Sequence, residues 1–201
     1  MIILLVVVLA YLCGSIPTGV LIAKNMGIDV RTVGSGNIGA TNVARSVGKK
    51  AGLLTLLGDA AKGLTPVLIV RALDWGDATL ACAAVAAFLG HLYSPFLSFS
   101  GGKGVATGLG VFLGLAPQAI LLSLLCFIFV FAVSRIVSLA SLMAAGATPL
   151  LLLARSYPYT HVIAGFTIAG FIIIRHHENI RRLLKGQEAK FSMKKSPFSA
   201  A

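Results

Sequence analysis

Charged side chains are scarce in this sequence. Asp, Glu, Lys and Arg make up 11% of its 201 residues, whereas a soluble domain has about 25%. Hydrophobic residues make up 57% of the chain, and the mean hydropathy is +0.93. Because so few charges cannot cover a water-exposed surface, the composition excludes an ordinary soluble domain and predicts an integral membrane protein.

Acidic residues are the rarest of the charged groups. Six Asp and Glu stand against 17 Lys and Arg, so the formal net charge is +11. A positive excess suits nucleic acid, anionic lipid or an anionic substrate. We expect no nucleic-acid partner, because the basic residues lie in short loops between apolar runs and no aromatic residues alternate with them. Most of this charge is expected to orient the chain in a membrane, and a minority to bind ligand.

Cysteine is also sparse. The spacing of the cysteines matches neither a disulfide framework nor a zinc site; they are Cys13, Cys82 and Cys126, all within apolar runs. The adjacent His176 and His177 have too few companions to bind a metal, so we expect no metal and no cofactor. A basic segment is missing before the first apolar run, since the first positive charge, Lys24, follows it. The run is therefore expected to be a retained span and not a cleaved signal peptide.

Seven apolar runs are long enough to cross, or nearly cross, a bilayer that requires about 20 helical residues. They cover residues 2–22, 52–72, 78–97, 104–116, 118–134, 136–154 and 160–174. The sequence therefore predicts an all-α polytopic membrane protein with seven transmembrane helices. Five spans with re-entrant segments is the alternative, because the fourth and seventh runs are short and Arg135 alone separates the fifth from the sixth. Residues 1–190 are expected to form one transmembrane domain, and residues 191–201 a basic C-terminal tail.

Basic residues are distributed unevenly between the loops. Most of them follow odd-numbered runs, whereas the loops after even-numbered runs contain only Arg71 and Arg155. By the positive-inside rule the N-terminus lies outside and the C-terminus lies in the cytoplasm. Four polar segments then share the cytoplasmic face, as one active site would require; they are residues 33–50, 99–108, 138–141 and 175–188.

The longest polar interruption is VGSGNIGATNVARSVGKK, residues 33–50. It combines glycines that let a ligand approach the backbone with hydroxyl, amide and guanidinium groups, from Ser35, Asn37, Thr41, Asn42 and Arg45. This mixture predicts a binding site for a phosphate-bearing anion. The segment also matches G-x-G-x-x-G, but no strand precedes it, so a dinucleotide site is not expected.

Two later segments also suit an anion. GGKG at residues 101–104 offers backbone donors, the Lys103 ammonium and the start of a helix. Gly104 stands where a P-loop has Ser or Thr, so ATP hydrolysis is not expected. RHHENIRRLL at residues 175–184 predicts an amphipathic helix with Arg175, Asn179 and Arg182 on one face. A simple bend for the first and a basic interfacial helix for the second remain the alternatives.

Three segments in order closely resemble the bacterial acyl-phosphate-dependent glycerol-3-phosphate acyltransferases, the PlsY family. They are SGNIGATNVAR at residues 35–45, the Gly90–His91 pair followed by GGKGVAT at residues 101–107, and RHHENIRRLLKGQE at residues 175–188. The family usually has proline three residues after the motif histidine and lysine before GGKG, where this chain has Ser94 and Ser100. The H-x4-D signature of other glycerolipid acyltransferases is absent, which implies a mechanism particular to this family.

The resemblance implies transfer of a fatty acyl group from acyl phosphate to the 1-hydroxyl of glycerol 3-phosphate, giving lysophosphatidic acid and phosphate. The expected acyl-phosphate-binding residues are Ser35, Gly36, Asn37, Gly39, Thr41, Asn42 and Ser141. The expected glycerol-3-phosphate-binding residues are Arg45, Gly101, Gly102, Lys103, Gly104, His176 and Asn179. The expected catalytic residues are Ser35, Arg45, Lys103, His176 and Asn179, while Arg182 and Glu188 are expected to hold the C-terminal helix in place.

The group that takes the hydroxyl proton is left open between His176 and the phosphate of acyl phosphate. We expect a monomer in the bacterial inner membrane, in contact with lipid, with its site facing the cytoplasm. The alternative function is a small membrane transporter or channel for phosphorylated metabolites, suggested by glycine-broken polar segments between spans. A transporter predicts polar groups facing both sides and often a repeated half, and this sequence has neither feature.

Overall fold

The computed structural model describes residues 2–191, whose regular structure is entirely helical. The helices are α1 Ile2–Gly14, α2 Thr18–Asn25, α3 Ala40–Ser46, α4 Lys49–Ala72, α5 Gly76–Leu92, α6 Val105–Leu115, α7 Pro117–Ser134, α8 Val137–Ala154, α9 Tyr159–Arg175 and α10 His177–Leu184, with a 3₁₀ turn at Pro95–Leu97. The all-α prediction is confirmed for this part of the chain. The predicted basic tail, apart from Phe191, lies outside the described residues.

Five helical stretches within residues 2–191 are long and apolar enough to cross a membrane. They are Ile2–Asn25, Lys49–Ala72, Gly76–Leu97, Pro117–Ser134 and Val137–Ala154. Two shorter apolar helices, α6 and α9, correspond to the predicted fourth and seventh spans. The 11 residues of α6 extend about 16 Å, which is less than the roughly 30 Å of a hydrocarbon core. The count of seven spans and the orientation of the termini therefore stay predictions.

Glycines allow the closest contacts between helices. A Cβ atom on Gly110 of α6 would lie 1.9 Å from the carbonyl oxygen of Ala60 in α4. One on Gly14 of α1 would lie 1.9 Å from the carbonyl oxygen of Ala87 in α5. Small residues at such points let two backbones touch, which is how helices pack where lipid removes the hydrophobic driving force. The outer surface, by contrast, exposes many large apolar side chains, among them Leu125, Phe129 and Val133.

A buried ion pair lies between α2, α4 and α5. Lys62 Nζ is 2.7 Å from Asp59 Oδ1 and donates to the carbonyl oxygen of Ile16 at 2.7 Å. The hydroxyl of Thr18 donates to the same carboxylate, and His91 Nδ1 lies 3.5 Å from it. The two charges thus satisfy each other inside the bundle, where neither is exposed to water. Because the chain turns away from α1 at Ile16, the pair also fixes the start of α2 against α4.

Polar contacts also lie at the other end of the bundle, away from the face that is predicted to be cytoplasmic. Arg71 at the end of α4 donates to the carbonyl oxygen of Leu115 at 3.1 Å, so the end of α6 lies there. Arg155 after α8 donates to Gln118 Oε1 at the start of α7, at 2.6 Å. α6 therefore ends at this end of the bundle, and α7 begins beside it. Gly104, which precedes α6, lies toward the opposite end.

The contact between α4 and α6 gives a test of this packing. Replacing Gly110 with Ala should destabilise the protein by about 1–3 kcal/mol, because the new methyl group would force the two helices apart. Gly146 in α8 is the matched control, since no atom lies within 4 Å of its Cβ position. Gly146→Ala should leave stability unchanged or raise it by up to about 1 kcal/mol through helix propensity. Thermal unfolding in detergent measures both, and equal effects would contradict the described contact.

Candidate active site

A cavity of about 1020 Å³ lies at the end of the bundle where α3, α10 and the loop before α6 meet. The predicted site residues on its wall are Ser35, Gly36, Asn37, Gly39, Thr41, Asn42, Arg45, Gly101, Lys103, Gly104, Ser141, His176, Asn179, Arg182 and Glu188. The four polar segments singled out in the sequence thus surround one space. The cavity continues from this polar mouth into an apolar arm between α6, α7, α8 and α9.

Asn42 organises the polar segment before α3. Its amide nitrogen donates to the carbonyl oxygens of Val30 and Val33, both at 3.1 Å, and of Asn37 at 2.9 Å. Its amide oxygen accepts from the backbone N–H of Ser35 at 2.9 Å. Since both ends of this amide are engaged with the loop, Asn42 contributes to the site by shaping the backbone that carries Ser35.

Glycine is required where this loop approaches Asn42. Gly34 adopts a φ of 61°, in the left-handed region that few other residues tolerate. A Cβ on Gly34 would lie 2.3 Å from the amide oxygen of Asn42. Asn37 makes a second local contact, because its side-chain oxygen accepts from the N–H of Gly39 at 2.8 Å. The loop is thereby held so that the side chains of Ser35 and Thr41 line the cavity.

The GGKG loop is held from two sides. The N–H groups of Gly101 and Gly102 donate to the carbonyl oxygens of Leu92, at 3.0 Å, and His91, at 3.2 Å. The Arg175 guanidinium donates to the carbonyl oxygens of Gly101, at 2.7 Å, and Gly102, at 3.2 Å. Gly102 is the predicted site residue that does not reach the cavity wall. A Cβ there would lie 2.3 Å from His91 Nε2, so its role is to let the loop lie against this ring.

Lys103 begins a chain of polar contacts that crosses the mouth. Its ammonium donates to the amide oxygen of Asn179, whose amide nitrogen donates to Glu188 Oε1. The Ser138 hydroxyl donates to the same carboxylate oxygen at 2.7 Å, and Arg182 Nε donates to the other at 2.6 Å. Glu188 therefore joins the start of α8 to α10.

The surroundings shift the pKa values of both charged ends of this chain. Burial lowers the pKa of Lys103, and the nearby positive charge of Arg182 lowers it further. Burial on its own would raise the pKa of Glu188, but hydrogen bonds from Ser138, Asn179 and Arg182 outweigh it and lower that pKa. Glu188 is therefore an anion at neutral pH and holds its cationic and polar neighbours in place.

His176 lies where α9 ends and α10 begins. The predicted amphipathic helix is thus two helices that meet at this residue. His176 is 3% exposed, and its Nδ1 lies 2.8 Å from the carbonyl oxygen of Ile172. A carbonyl oxygen can only accept, so Nδ1 carries the proton and Nε2 remains as an acceptor. Burial lowers the pKa of His176 to about 4, so the ring is neutral at neutral pH.

Arg45 and the C-terminal segment meet across the mouth. The Arg45 guanidinium lies 5.4 Å from the centre of the Phe191 ring, which also meets the ring of Phe131 at 6.0 Å. The backbone N–H of Phe191 donates to the carbonyl oxygen of Arg135 at 2.7 Å. The segment after α10 therefore crosses from α10 to the end of α7 and closes one side of the cavity.

Some polar residues on the cavity wall were not among the predicted site residues. Arg175, His91 and Asp59 line the cavity in addition to the predicted residues. Asp59 was recognisable as a costly charge in a span, and His91 as part of a motif, but neither pattern indicated a position beneath the GGKG loop. No sequence signal pointed to Phe191. Ser141, predicted to bind acyl phosphate, lies on the cavity wall, and its hydroxyl donates to the carbonyl oxygen of Val137 in its own helix at 2.9 Å.

The comparisons with known proteins agree with one another. The sequence model of the glycerol-3-phosphate acyltransferase family matches residues 4–186. A glycerol-3-phosphate acyltransferase of Trichlorobacter lovleyi is 55% identical over 182 residues, 90% of this chain and 94% of the relative. That of Geobacter sulfurreducens is 50% identical over 188 residues, 94% of this chain and 97% of the relative.

Two solved structures have the same fold. Both are crystal structures of PlsY, an integral membrane glycerol 3-phosphate acyltransferase. The glycerol 3-phosphate form has a TM-score of 0.92 at 44% identity and covers 96% of each chain. The lysophosphatidic acid form has a TM-score of 0.90 at 43% identity and covers 96% of this chain and 97% of the other. The chain described here belongs to the glycerol-3-phosphate acyltransferase family.

Proposed function

We propose that this protein transfers a fatty acyl group from an acyl phosphate to the 1-hydroxyl of glycerol 3-phosphate. The products are lysophosphatidic acid and inorganic phosphate. The observation that carries the proposal is the shape of the cavity, which joins a basic, polar mouth to an apolar arm. Two phosphate groups and one hydrocarbon chain must meet for this reaction, and the two parts of the cavity match them. The substrate and product forms of the related PlsY structures support the same assignment.

The acyl donor is assigned to the side of the mouth formed by Ser35, Gly36, Asn37, Gly39, Thr41 and Ser141, with Asn42 shaping the loop. The acceptor hydroxyl attacks the acyl carbonyl carbon, negative charge develops on the carbonyl oxygen, and the carbon–oxygen bond to phosphate breaks. The hydroxyl groups of Ser35, Thr41 and Ser141 on the cavity wall are the donors assigned to that oxygen in the transition state. Each such donor typically contributes about 3 kcal/mol. Ser141 must turn its hydroxyl away from Val137 to contribute.

Glycerol 3-phosphate is assigned to the opposite side of the mouth. Arg45 and Lys103 supply positive charge for its phosphate, and the Gly101–Gly104 loop places Lys103 directly before the first turn of α6, where N–H groups favour an anion. Asn179 holds the Lys103 ammonium from behind. The Nε2 atom of His176 is an acceptor for a glycerol hydroxyl, because Nδ1 is committed to Ile172.

The proton of the attacking hydroxyl is assigned to the leaving phosphate, with His176 orienting the hydroxyl. The phosphate oxygens lie beside the attack site because the phosphate is bonded to the acyl carbon that is attacked. They become more basic as the carbon–oxygen bond breaks. His176 has a pKa of about 4, so as a base it would be weak. Its fixed ring is better suited to holding the acceptor in line.

The membrane arrangement is assigned from charge and helix length together. We place the N-terminus outside and the C-terminus, with the site, in the cytoplasm of a bacterial inner membrane, with α6 and α9 as the short members of seven spans. The basic loops near the site support this orientation. We propose a monomer, because the residues assigned to both substrates all come from one chain.

Acceptor-dependent release of phosphate tests the reaction itself. Purified protein in detergent or lipid mesophase, given palmitoyl phosphate and glycerol 3-phosphate, should release phosphate and form equal amounts of lysophosphatidic acid. Omitting glycerol 3-phosphate should abolish both. If well-folded protein uses acyl-CoA and not acyl phosphate, the donor assignment is wrong, and if it uses neither donor, the acyltransferase proposal fails.

Lys103 gives a test of the glycerol 3-phosphate side. Lys103→Met should raise the KM for glycerol 3-phosphate by about tenfold to a hundredfold, because a charge-assisted hydrogen bond contributes about 1.5–3 kcal/mol. The KM for acyl phosphate should change less. Lys50→Met is the matched control. It removes the same charge, but Lys50 is exposed at the start of α4. Equal losses in both variants would attribute the effect to overall charge and not to this contact.

His176 gives a test of the proton transfer. His176→Gln should raise the KM for glycerol 3-phosphate while kcat stays within about tenfold, because Gln keeps an acceptor but not a base. A loss of kcat by several orders of magnitude would show that His176 is an obligatory base.

Comparing the pH dependence of kcat/KM in wild type and in His176→Gln separates the titration of His176 from that of the substrates. A histidine with a pKa of about 4 remains neutral as the pH falls from 8 to 5.5. The ratio of wild-type to His176→Gln kcat/KM should therefore be constant over that range, since substrate titration cancels in the ratio. A histidine with an ordinary pKa of about 6.5 would make this ratio fall about tenfold.

A further inference from the structure

The apolar arm of the cavity extends between four helices. On α8 its wall is formed by Ser141, Ala144, Ala145 and Thr148, which lie on one face at helical spacing. α7 contributes Phe131, Phe127, Leu124, Ser123 and Ile120, and α9 contributes Ile172, Ala169, Ile168 and Gly165. α6 completes it with Gly108, Leu109 and Phe112. The arm therefore follows the helix axes away from the polar mouth.

The arm stops at a similar depth on three of these helices. Its deepest wall residues are Ile120 in α7, Thr148 in α8 and Gly165 in α9. Counted from the helix ends at the polar mouth, Ser134, Val137 and Arg175, these residues lie about 21, 16 and 15 Å along the axes, at about 1.5 Å per residue. The cavity wall therefore ends part-way along each of these helices, inside the bundle.

A hydrogen-bonded pair of hydroxyls forms the closed end. The Thr148 hydroxyl lies 3.0 Å from Ser123 Oγ, which ties α8 to α7 at this depth, and 2.9 Å from the carbonyl oxygen of Ala144, so its one proton is shared between these two acceptors. Ser123 in turn donates to the carbonyl oxygen of Ala119 at 3.2 Å. Both hydroxyls are therefore satisfied, and neither invites water into the arm. One turn further on, Ala119 and Leu152 are completely buried, so packed side chains fill the space beyond the pair.

We propose that the Ser123–Thr148 pair, together with Ile120 just beyond it on α7, is the floor of an acyl-chain pocket and that this depth sets the longest acyl group the enzyme transfers efficiently. The inference rests on the proposed acyl donor. An extended chain advances about 1.2 Å per bond, so a depth of about 15–21 Å holds roughly 13–17 bonds. Acyl groups of about fourteen to eighteen carbons match this depth, and longer ones must leave carbons outside the pocket.

Ala145 determines how much of this depth is open. It lies on the wall one helical turn before Thr148 and is 9% exposed. A leucine at this position would place its side chain across the arm, about 5 Å or more short of the floor. Short acyl chains would still fit, whereas the last carbons of a long chain would have no space.

The chain-length profile of the enzyme tests this proposal. Lysophosphatidic acid formation is measured with a series of saturated acyl phosphates of about eight to twenty carbons. Wild type should be most active within the fourteen-to-eighteen-carbon range. Ala145→Leu should lose at least tenfold in kcat/KM for sixteen carbons and stay within about twofold of wild type for ten. Gly146→Leu is the matched control and should keep the wild-type profile, because no atom lies within 4 Å of its Cβ position.

A second variant changes the floor in the opposite direction. Thr148→Ala removes the upper hydroxyl and leaves Ser123 bonded to Ala119, so the pocket deepens without exposing an unpaired group. Its optimum should move toward longer chains by about one or two carbons. This result decides the proposal if Ala145→Leu fails to fold.

Each outcome has a distinct meaning. An unchanged or uniformly lowered profile in folded Ala145→Leu, or an unmoved optimum in Thr148→Ala, overturns the pocket floor and implies that the chain leaves sideways into lipid. If wild type transfers none of the acyl phosphates, the proposed function fails instead.

Discussion

The rest of the structure depends on one ion pair inside the helix bundle. Asp59 and Lys62 lie in the middle of α4 and are almost completely buried. Removing one partner of such a pair typically costs about 3–5 kcal/mol, because the other charge is left without water or a counter-charge. The pair also accepts from Thr18 and donates to the carbonyl oxygen of Ile16, and these two bonds attach the break between α1 and α2 to α4.

This pair reaches the active site through His91. The ring faces Asp59 with Nδ1, and its Nε2 lies under Gly102, where a Cβ would come within 2.3 Å. Arg175 holds the same loop from the other side through the carbonyl oxygens of Gly101 and Gly102. Lys103 therefore projects from a loop whose backbone is fixed above and below. A substrate-binding cation held this way needs little reorganisation when its anion arrives.

Hydropathy predicted most helices to within a few residues, because lipid exposure requires long apolar stretches. Residues 118–134 and 136–154 became α7 and α8, Pro117–Ser134 and Val137–Ala154. The run at 2–22 contains two helices, since Pro17 interrupts a stretch that is apolar on average. Apolar composition alone does not reveal such a break. The pairing of Asp59 with Lys62 was predictable because two charges in a span have few other means of satisfaction.

The sequence predicted which residues lie on the cavity wall better than it predicted the contacts that they make there. Polar residues that interrupt apolar runs are few, so their convergence could be inferred. The hydrogen-bond partner of each residue is visible only in the structure. The amide of Asn42 bonds to its own loop, whereas that of Asn179 bridges Lys103 and Glu188. Phe191 follows the last helix in a segment without periodicity, and its contact with Arg45 has no sequence signature.

The shortness of α6 has an electrostatic consequence. α6 and α7 meet at one end of the bundle, yet α6 has 11 residues and α7 has 18, so Gly104 lies about 10 Å inside the level that α7 reaches at the other end. The Lys103 ammonium therefore lies in a recess, where it is only partly exposed to bulk water. At 4 Å, two opposite unit charges attract by about 1 kcal/mol in water and by about 4 kcal/mol at an effective dielectric constant of 20. A phosphate drawn into this recess exchanges bulk water for a medium in which each fixed positive charge acts several times more strongly.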